Sequence, residues 1–262
     1  MSTKKRISRI VGLTSAVVKN SQAASSVSVA TPATTPDEVS RLLNHDYAHA
    51  LRSCLSRAEV LAVVGEGKRQ AWPHLNQLAV RRGSINELAQ RAYELGADFK
   101  IARMPWPSGL SVMGFYLGKD SGLDKRPLIC VNGAHHPAAV ATAFLHEVGH
   151  HVTADLFSMR NDEAQLSRQV GYQSHLSDPR ELAADVLVSL GVYPQSMAKK
   201  LFDYGAARRG AGDSPAKTAA LTTARRYGLD FDSLPTQKRL QYQAGLIHFT
   251  RLRQTLLEEY GL

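Results

Sequence analysis

Apolar residues recur at helical spacing from Asp37 to about Val64 (Val39, Leu42, Leu43, Tyr47, Leu51, Leu55), which predicts a helix there, ended by a break at Gly65-Glu66-Gly67. A second helix is marked by its ends. Ser84 reads as the N-cap, Glu87 as its capping-box partner, Leu88, Ala92 and Leu95 as one apolar face, and Gly96 as the stop. The period then shortens. Phe99 to Met104, Val112 to Leu117 and Pro127 to Val131 are short runs of β-formers between turn-rich segments, and they predict a small antiparallel three-stranded meander. From Pro137 the helical pattern returns through Val140, Phe144, Leu145, Val148 and Val152. A further helix starts at Ser177 or Asp178, runs through Arg180–Leu190 and ends at Gly191 before Pro194, and Thr236 to Tyr260 predicts a last one. Helices that flank a short run of strands make the fold class α+β.

Residues 1–36 lie outside this pattern. Their basic start and the Ser-, Thr-, Ala- and Pro-rich stretch Ser21–Pro36 leave nothing to pack, so the segment reads as a disordered basic tail. A signal peptide or an organellar transit peptide is the alternative, weakened because Thr14 and Ser15 dilute the apolar run and Lys19 closes it. The expected organisation is a tail over 1–36, a chemistry-bearing domain over 37–198 and a helical C-terminal extension over 199–262.

Charge changes this picture less than its total suggests. The chain holds 32 Lys+Arg against 23 Asp+Glu, a formal +9 on 262 residues. Residues 1–36 carry five basic and no acidic side chains, 199–262 carry eleven against six, and 37–198 carry sixteen against seventeen. The excess sits at the two ends and the middle is neutral, so the total is not the signal of a uniformly basic nucleic-acid-binding domain. Two cysteines, Cys54 and Cys130, cannot staple a fold of this size and point to a reducing compartment, hence the cytoplasm. No stretch approaches the ~18 to 20 apolar residues that cross a bilayer, so no membrane partner is expected.

The candidate chemistry is concentrated in His146-Glu147-Val148-Gly149-His150. On a helix, positions i and i+4 share a face, so both imidazoles can aim at one metal ion. Glu147, about 100° round the helix, is placed to take a proton from a water at the open coordination position, as a general base. A zinc site of this kind needs a third protein ligand. Asp155, Asp162, Glu163, His175, Asp178 and Glu181 are within reach along the chain. Glu181 is favoured because it opens Glu181-Leu182-Ala183-Ala184-Asp185, where small alanines allow close helix approach. Asp185, one turn later, can accept the free ring N–H of a ligand histidine. His151 points off the shared face. Tyr172, His175, Tyr193 and the pair His135-His136 are candidates for a donor to the developing oxyanion.

In this order along the chain, Gly114-Phe115-Tyr116, a strand ending in Val131-Asn132, the His146–His150 helix and Glu181-x-x-Ala184-Asp185 followed by Pro194 resemble the ImmA/IrrE family of metallopeptidases. The Ser84–Gly96 helix is similar to the helix that leads the family's domain, and the resemblance covers about Ile85 to Pro194. It implies a zincin-like core, His146, His150 and Glu181 as metal ligands, and Glu147 as the general base. It also implies a zinc-dependent peptidase of the cytoplasm that acts on a specific protein, a repressor or other transcription regulator in some relatives. Manganese or another divalent ion suits the same ligands. The competing expectation is a regulator with a structural or sensory metal site, whose basic C-terminal region binds a partner or nucleic acid. Ser214–Leu229 is its best candidate for a DNA-reading helix pair, although a surface helix with basic ends fits that stretch better.

Overall fold

Helix ends in the first third of the chain are set by side-chain caps rather than by glycine. In the computed structural model, which describes residues 36–75, 85–102, 113–118, 125–133, 135, 137–157, 175–191 and 236–262, the single helix expected over 37–64 is three. These are α1 (Pro36–Asn44), α2 (Tyr47–Cys54) and α3 (Arg57–Glu66). Asp46 caps α2 by accepting the His49 N–H, and Ser56 caps α3 in a reciprocal capping box with Glu59. Each cap satisfies backbone donors that a continuous helix would have bonded internally, so the chain can turn there and keep its apolar face inward.

The expected break at Gly65–Gly67 is absent. The helix continues through a π-helical stretch, Gly67–Ala71, into a last turn at Trp72–Leu75. Gly67 is needed for contact rather than for flexibility: a Cβ there would lie 2.8 Å from the Trp72 ring. α4 (Ile85–Glu94) ends as expected at Gly96, whose φ of 85° is the left-handed conformation glycine adopts without steric cost. The Ala97 N–H bonds the Ala92 carbonyl and the Gly96 N–H that of Tyr93, which closes the helix as a Schellman motif.

The strands lie where the pattern predicts, as β1 (Asp98–Ala102), β2 (Gly114–Leu117) and β3 (Leu128–Asn132), but the sheet is not an antiparallel meander. Its order is β1-β3-β2, with β3 parallel to β1 and antiparallel to β2, so the sheet is mixed. The reason is burial. β3 is an unbroken apolar run, Leu128-Ile129-Cys130-Val131, in which Ile129, Cys130 and Val131 are all buried. A strand hidden on both faces belongs in the centre. β2 alternates buried and half-buried positions, as an edge strand covered on one face does.

Helix α5 (Pro137–Thr153) packs on β2 and β3 with one side and on α6 (Pro179–Leu190) with another. Asp178 caps α6 and Gly191 closes it. The α5–α6 crossing is tight because both helices are bare at the contact: a Cβ on Gly149 would lie 2.8 Å from Ala184 Cα. The last helix, α7 (Thr236–Tyr260), rests on α1, α2 and α6, and its Ala244, Leu252 and Leu256 are buried. All described residues belong to one unit, Pro32–Leu262. The C-terminal helix, expected in an extension, is thus part of the core that carries the site. No helix among the described residues is long and apolar enough to cross a membrane.

Candidate metal centre

The close α5–α6 crossing brings the polar residues of both helices together inside the core. His146, Glu147 and His150 of α5 and Glu181 and Asp185 of α6 are all buried. The helical period does this. His146 and His150 face α6 one turn apart, Glu181 and Asp185 face α5 one turn apart, and Gly149 and Ala184 let the backbones approach.

Hydrogen bonding fixes how each ring is presented. His146 Nδ1 lies 2.8 Å from Asp185 Oδ1, His175 Nδ1 2.8 Å from Asp185 Oδ2, and His248 Nε2 2.8 Å from the same Oδ2. Burial alone would push the Asp185 carboxyl up, but the three imidazoles hold its pKa well below the usual carboxylate range. An ionised carboxylate only accepts, so each ring must donate the facing N–H. His146 then carries its proton on Nδ1 in the neutral ring, and its Nε2 presents a lone pair. That lone pair faces Glu181 Oε2 at 2.9 Å and His150 Nε2 at 3.0 Å, with His150 Nε2 and Glu181 Oε2 3.5 Å apart.

A bare His146 Nε2 and an ionised Glu181 Oε2 this close need a proton or a cation between them. A tetrahedral ion with bonds of about 2.0–2.1 Å separates its ligands by about 3.3 Å, which matches the spacing of these three atoms. Burial opposes an imidazolium at His146, but Asp185 and Glu181 outweigh it and hold its pKa well above the usual value. Burial lowers that of His150 instead. Burial would raise Glu181, yet bonds from His146 and His150 hold it low. His150 Nδ1 has no hydrogen-bond partner among the described residues, so its tautomer is free to adjust. These buried His and Glu groups could hold a metal ion. His146, His175 and Glu181 form one group of ligand atoms within 4.8 Å of each other, and His175, Asp185 and His248 form a second.

Glu147, next to His146 and about 100° round the helix, reaches β2, where Gly114 makes room for it: a Cβ on Gly114 would lie 2.9 Å from Glu147 Oε1. Burial pushes its pKa up to about 8, and Oε2 has no partner among the described residues. Cys130, opposite Gly114's neighbour Phe115, keeps its proton because burial pushes the thiol up to about 12.

Of the other sequence candidates, Asp155 is exposed beyond the end of α5, and Asp178 is engaged as the α6 cap. His151 is half-buried, with Nε2 2.8 Å from the Leu95 carbonyl and Nδ1 3.4 Å from the Tyr116 hydroxyl, which ties α5 to α4 and β2. His135 is buried in the turn after β3. Tyr172, Tyr193, His136, Asp162, Glu163 and Ser214–Leu229 lie outside the described residues. His175, considered first as a donor or ligand, is held on Asp185 with Nε2 3.7 Å from Glu181 Oε2. His248 and its partner Tyr47, whose hydroxyl is 3.3 Å from His248 Nδ1, were not anticipated. The signal for His248 was present: it is the polar member of a buried stripe at four-residue spacing, Ala244, His248, Leu252, Leu256.

Comparison with protein-family models, with characterised proteins and with solved structures gives no match to this chain.

Proposed function

We propose that this chain is a zinc-dependent peptidase of the ImmA/IrrE kind, with a zincin-like core, that hydrolyses a peptide bond in a specific protein substrate. The observation that carries the reading is the convergence of His146 Nε2, His150 Nε2 and Glu181 Oε2 beside a buried carboxyl, Glu147, on the same helix. His146, His150 and Glu181 would hold the metal, and two imidazoles with one carboxylate form a donor set that suits zinc and also accepts manganese. When bound, a divalent ion supplies Lewis-acid polarisation of a carbonyl and lowers the pKa of water.

The chain's own residues do the rest. Asp185 fixes the His146 tautomer, so that Nε2 stays available and the ring cannot rotate. Glu147 takes a proton from the attacking water and passes it to the leaving amine, which is what a general base that becomes a general acid does. Its raised pKa in the metal-free protein means that it holds a proton at neutral pH until a nearby cation favours the carboxylate. His175 and His135 are the described candidates for a donor to the oxyanion; His175, held through Nδ1 on Asp185, would donate from Nε2 as the imidazolium that Asp185 favours against burial. A transcription regulator is the substrate class the resemblance implies. The cytoplasm is the proposed location, in keeping with two free cysteines.

The test compares wild type with Glu147→Gln for metal content and for new peptide termini in candidate substrates, read by mass spectrometry. The peptidase reading expects equal zinc and no cleavage by the variant. Cleavage by Glu147→Gln at the wild-type rate would sink it. A cellular effect that survives the substitution would point to a regulator with a structural metal site.

A further inference from the structure

Asp185 bonds three histidines, and only one of them belongs to the predicted ligand set. His146 comes from α5, His175 from the turn before α6, and His248 from α7. His248 is fully buried, and its second nitrogen is engaged by the hydroxyl of Tyr47 on α2, itself buried. With a cation in place of a second proton on His146, every hydrogen-bond role in this chain closes. The Tyr47 O–H donates to His248 Nδ1, His248 Nε2–H donates to Asp185 Oδ2, and Asp185 Oδ1 accepts from His146 Nδ1–H, which leaves His146 Nε2 bare for a metal.

We infer that His248 and Tyr47 are positioning residues for the metal site, so that the C-terminal helix and α2 complete a centre whose ligands all lie between residues 146 and 181. The inference rests on the reading of His146, His150 and Glu181 as ligands. The physical case is one of orientation. Asp185 can hold His146 in a single ring position only while its own carboxylate plane is fixed, and a carboxylate bonded through one oxygen can swing about its Cβ–Cγ bond. His248 and His175 pin the second oxygen from two sides. Tyr47 in turn selects the His248 tautomer that donates towards Asp185 rather than away from it. Neither residue touches the ligand atoms, so their effect must appear in metal affinity through His146.

The same three groups, His175, Asp185 and His248, also have the composition of a second metal site. Their geometry favours hydrogen bonds, because both nitrogens sit 2.8 Å from one carboxylate oxygen and the other His248 nitrogen is already engaged. Metal stoichiometry separates the two arrangements.

The experiment measures zinc affinity by competition with a chromophoric chelator, and bound zinc by elemental analysis. Wild type, His248→Leu, His248→Gln and Tyr47→Phe are compared in the full chain, and each metal-free protein is also melted by circular dichroism. One zinc per wild-type chain is expected. His248→Leu should weaken zinc roughly ten- to a hundred-fold, the range seen when outer partners of metal ligands are removed. His248→Gln, which restores an N–H donor, should recover most of that loss, and Tyr47→Phe, one bond further from the ligand, should weaken zinc by a smaller but measurable factor. Equal zinc affinity in wild type and His248→Leu, with only the melting temperature lowered, would overturn the inference and leave His248 a packing residue. Two zinc ions in wild type and one in His248→Leu would overturn it in favour of a second site. Should His248→Leu fail to fold, Tyr47→Phe decides, since it removes one oxygen atom: unchanged affinity there is also fatal. Failure of the ligand reading itself looks different, because wild type would then bind no zinc at all.

Discussion

Two carboxyl groups, one on each helix of the α5–α6 pair, are equally removed from water and hold opposite charge states. Asp185 is wholly buried and ionised, with its pKa far below the usual range. Glu147 is as deeply buried, and its pKa is raised to about 8. Burial raises both, so the neighbours make the difference. Asp185 receives three ring N–H donors, whereas Glu147 has an oxygen with no partner among the described residues and lies against the sheet near Gly114 and Cys130. A carboxylate surrounded by donors is an anchor. One buried without them keeps its proton to higher pH, and that proton is easily moved once a cation changes the local field.

The comparison is broken most severely on the anchored side. Asp185→Ala leaves three imidazole N–H groups in the core without their acceptor. Removing one partner of a buried ionic network costs about 3–5 kcal/mol, and that loss is expected in chemical denaturation of the metal-free protein, together with loss of zinc. Asp185→Asn should fall between, since it keeps one acceptor oxygen and turns an amide N–H₂ towards an imidazole donor. If Asp185→Ala were as stable as wild type, the three bonds would not be holding the site.

The other side is tested by pH. Glu147 has a folded pKa of about 8 against an ordinary 4.5, so between these values the folded protein holds a proton that the unfolded chain has released. Stability from this group is therefore complete below about pH 4.5 and is lost as pH rises towards 8, by on the order of a few kcal/mol in total. Glu147→Gln carries no titrating group there. The stability of metal-free wild type relative to Glu147→Gln should fall between about pH 5 and pH 8. A difference that stays constant across that range would mean that Glu147 sits in water and not in a dry pocket.

How much of this was legible in the sequence follows the range of the interactions. His146 and His150 are four residues apart, as are Glu181 and Asp185, so spacing alone placed each pair on one face and Glu147 about 100° round from the first. The helix break at Ser56 was equally local, and its Ser-x-x-Glu signature was passed over because the apolar period runs on through it. The sheet order was less accessible. The strands were found where β-formers cluster, but that β3 lies between β1 and β2 depends on which strand is covered on both faces, a property of the assembled core. His248 stands 63 residues from Asp185, and Tyr47 201 residues from His248. Only a polar residue on an apolar stripe marked the first, and nothing in the local pattern paired it with Asp185.

The smallest perturbation moves the base and leaves the anchor untouched. Gly114 lies on β2 opposite Val131, and a methyl group there would lie 2.9 Å from both the Cys130 carbonyl and Glu147 Oε1. The carbonyl is fixed by the sheet, so the Glu147 side chain must yield. Such overpacking typically costs about 1–3 kcal/mol. On the proposed peptidase reading, Gly114→Ala should therefore lower stability modestly and reduce peptide hydrolysis sharply, while zinc affinity stays near the wild-type value because His146 and His150 face α6 and Glu181, and Gly114 would press on Glu147 alone. Zinc titration and a cleavage assay on the same preparation separate the two effects. A parallel loss of zinc would show that Glu147 cannot be moved without moving the ligands, and that the contrast between the carboxyls is incidental.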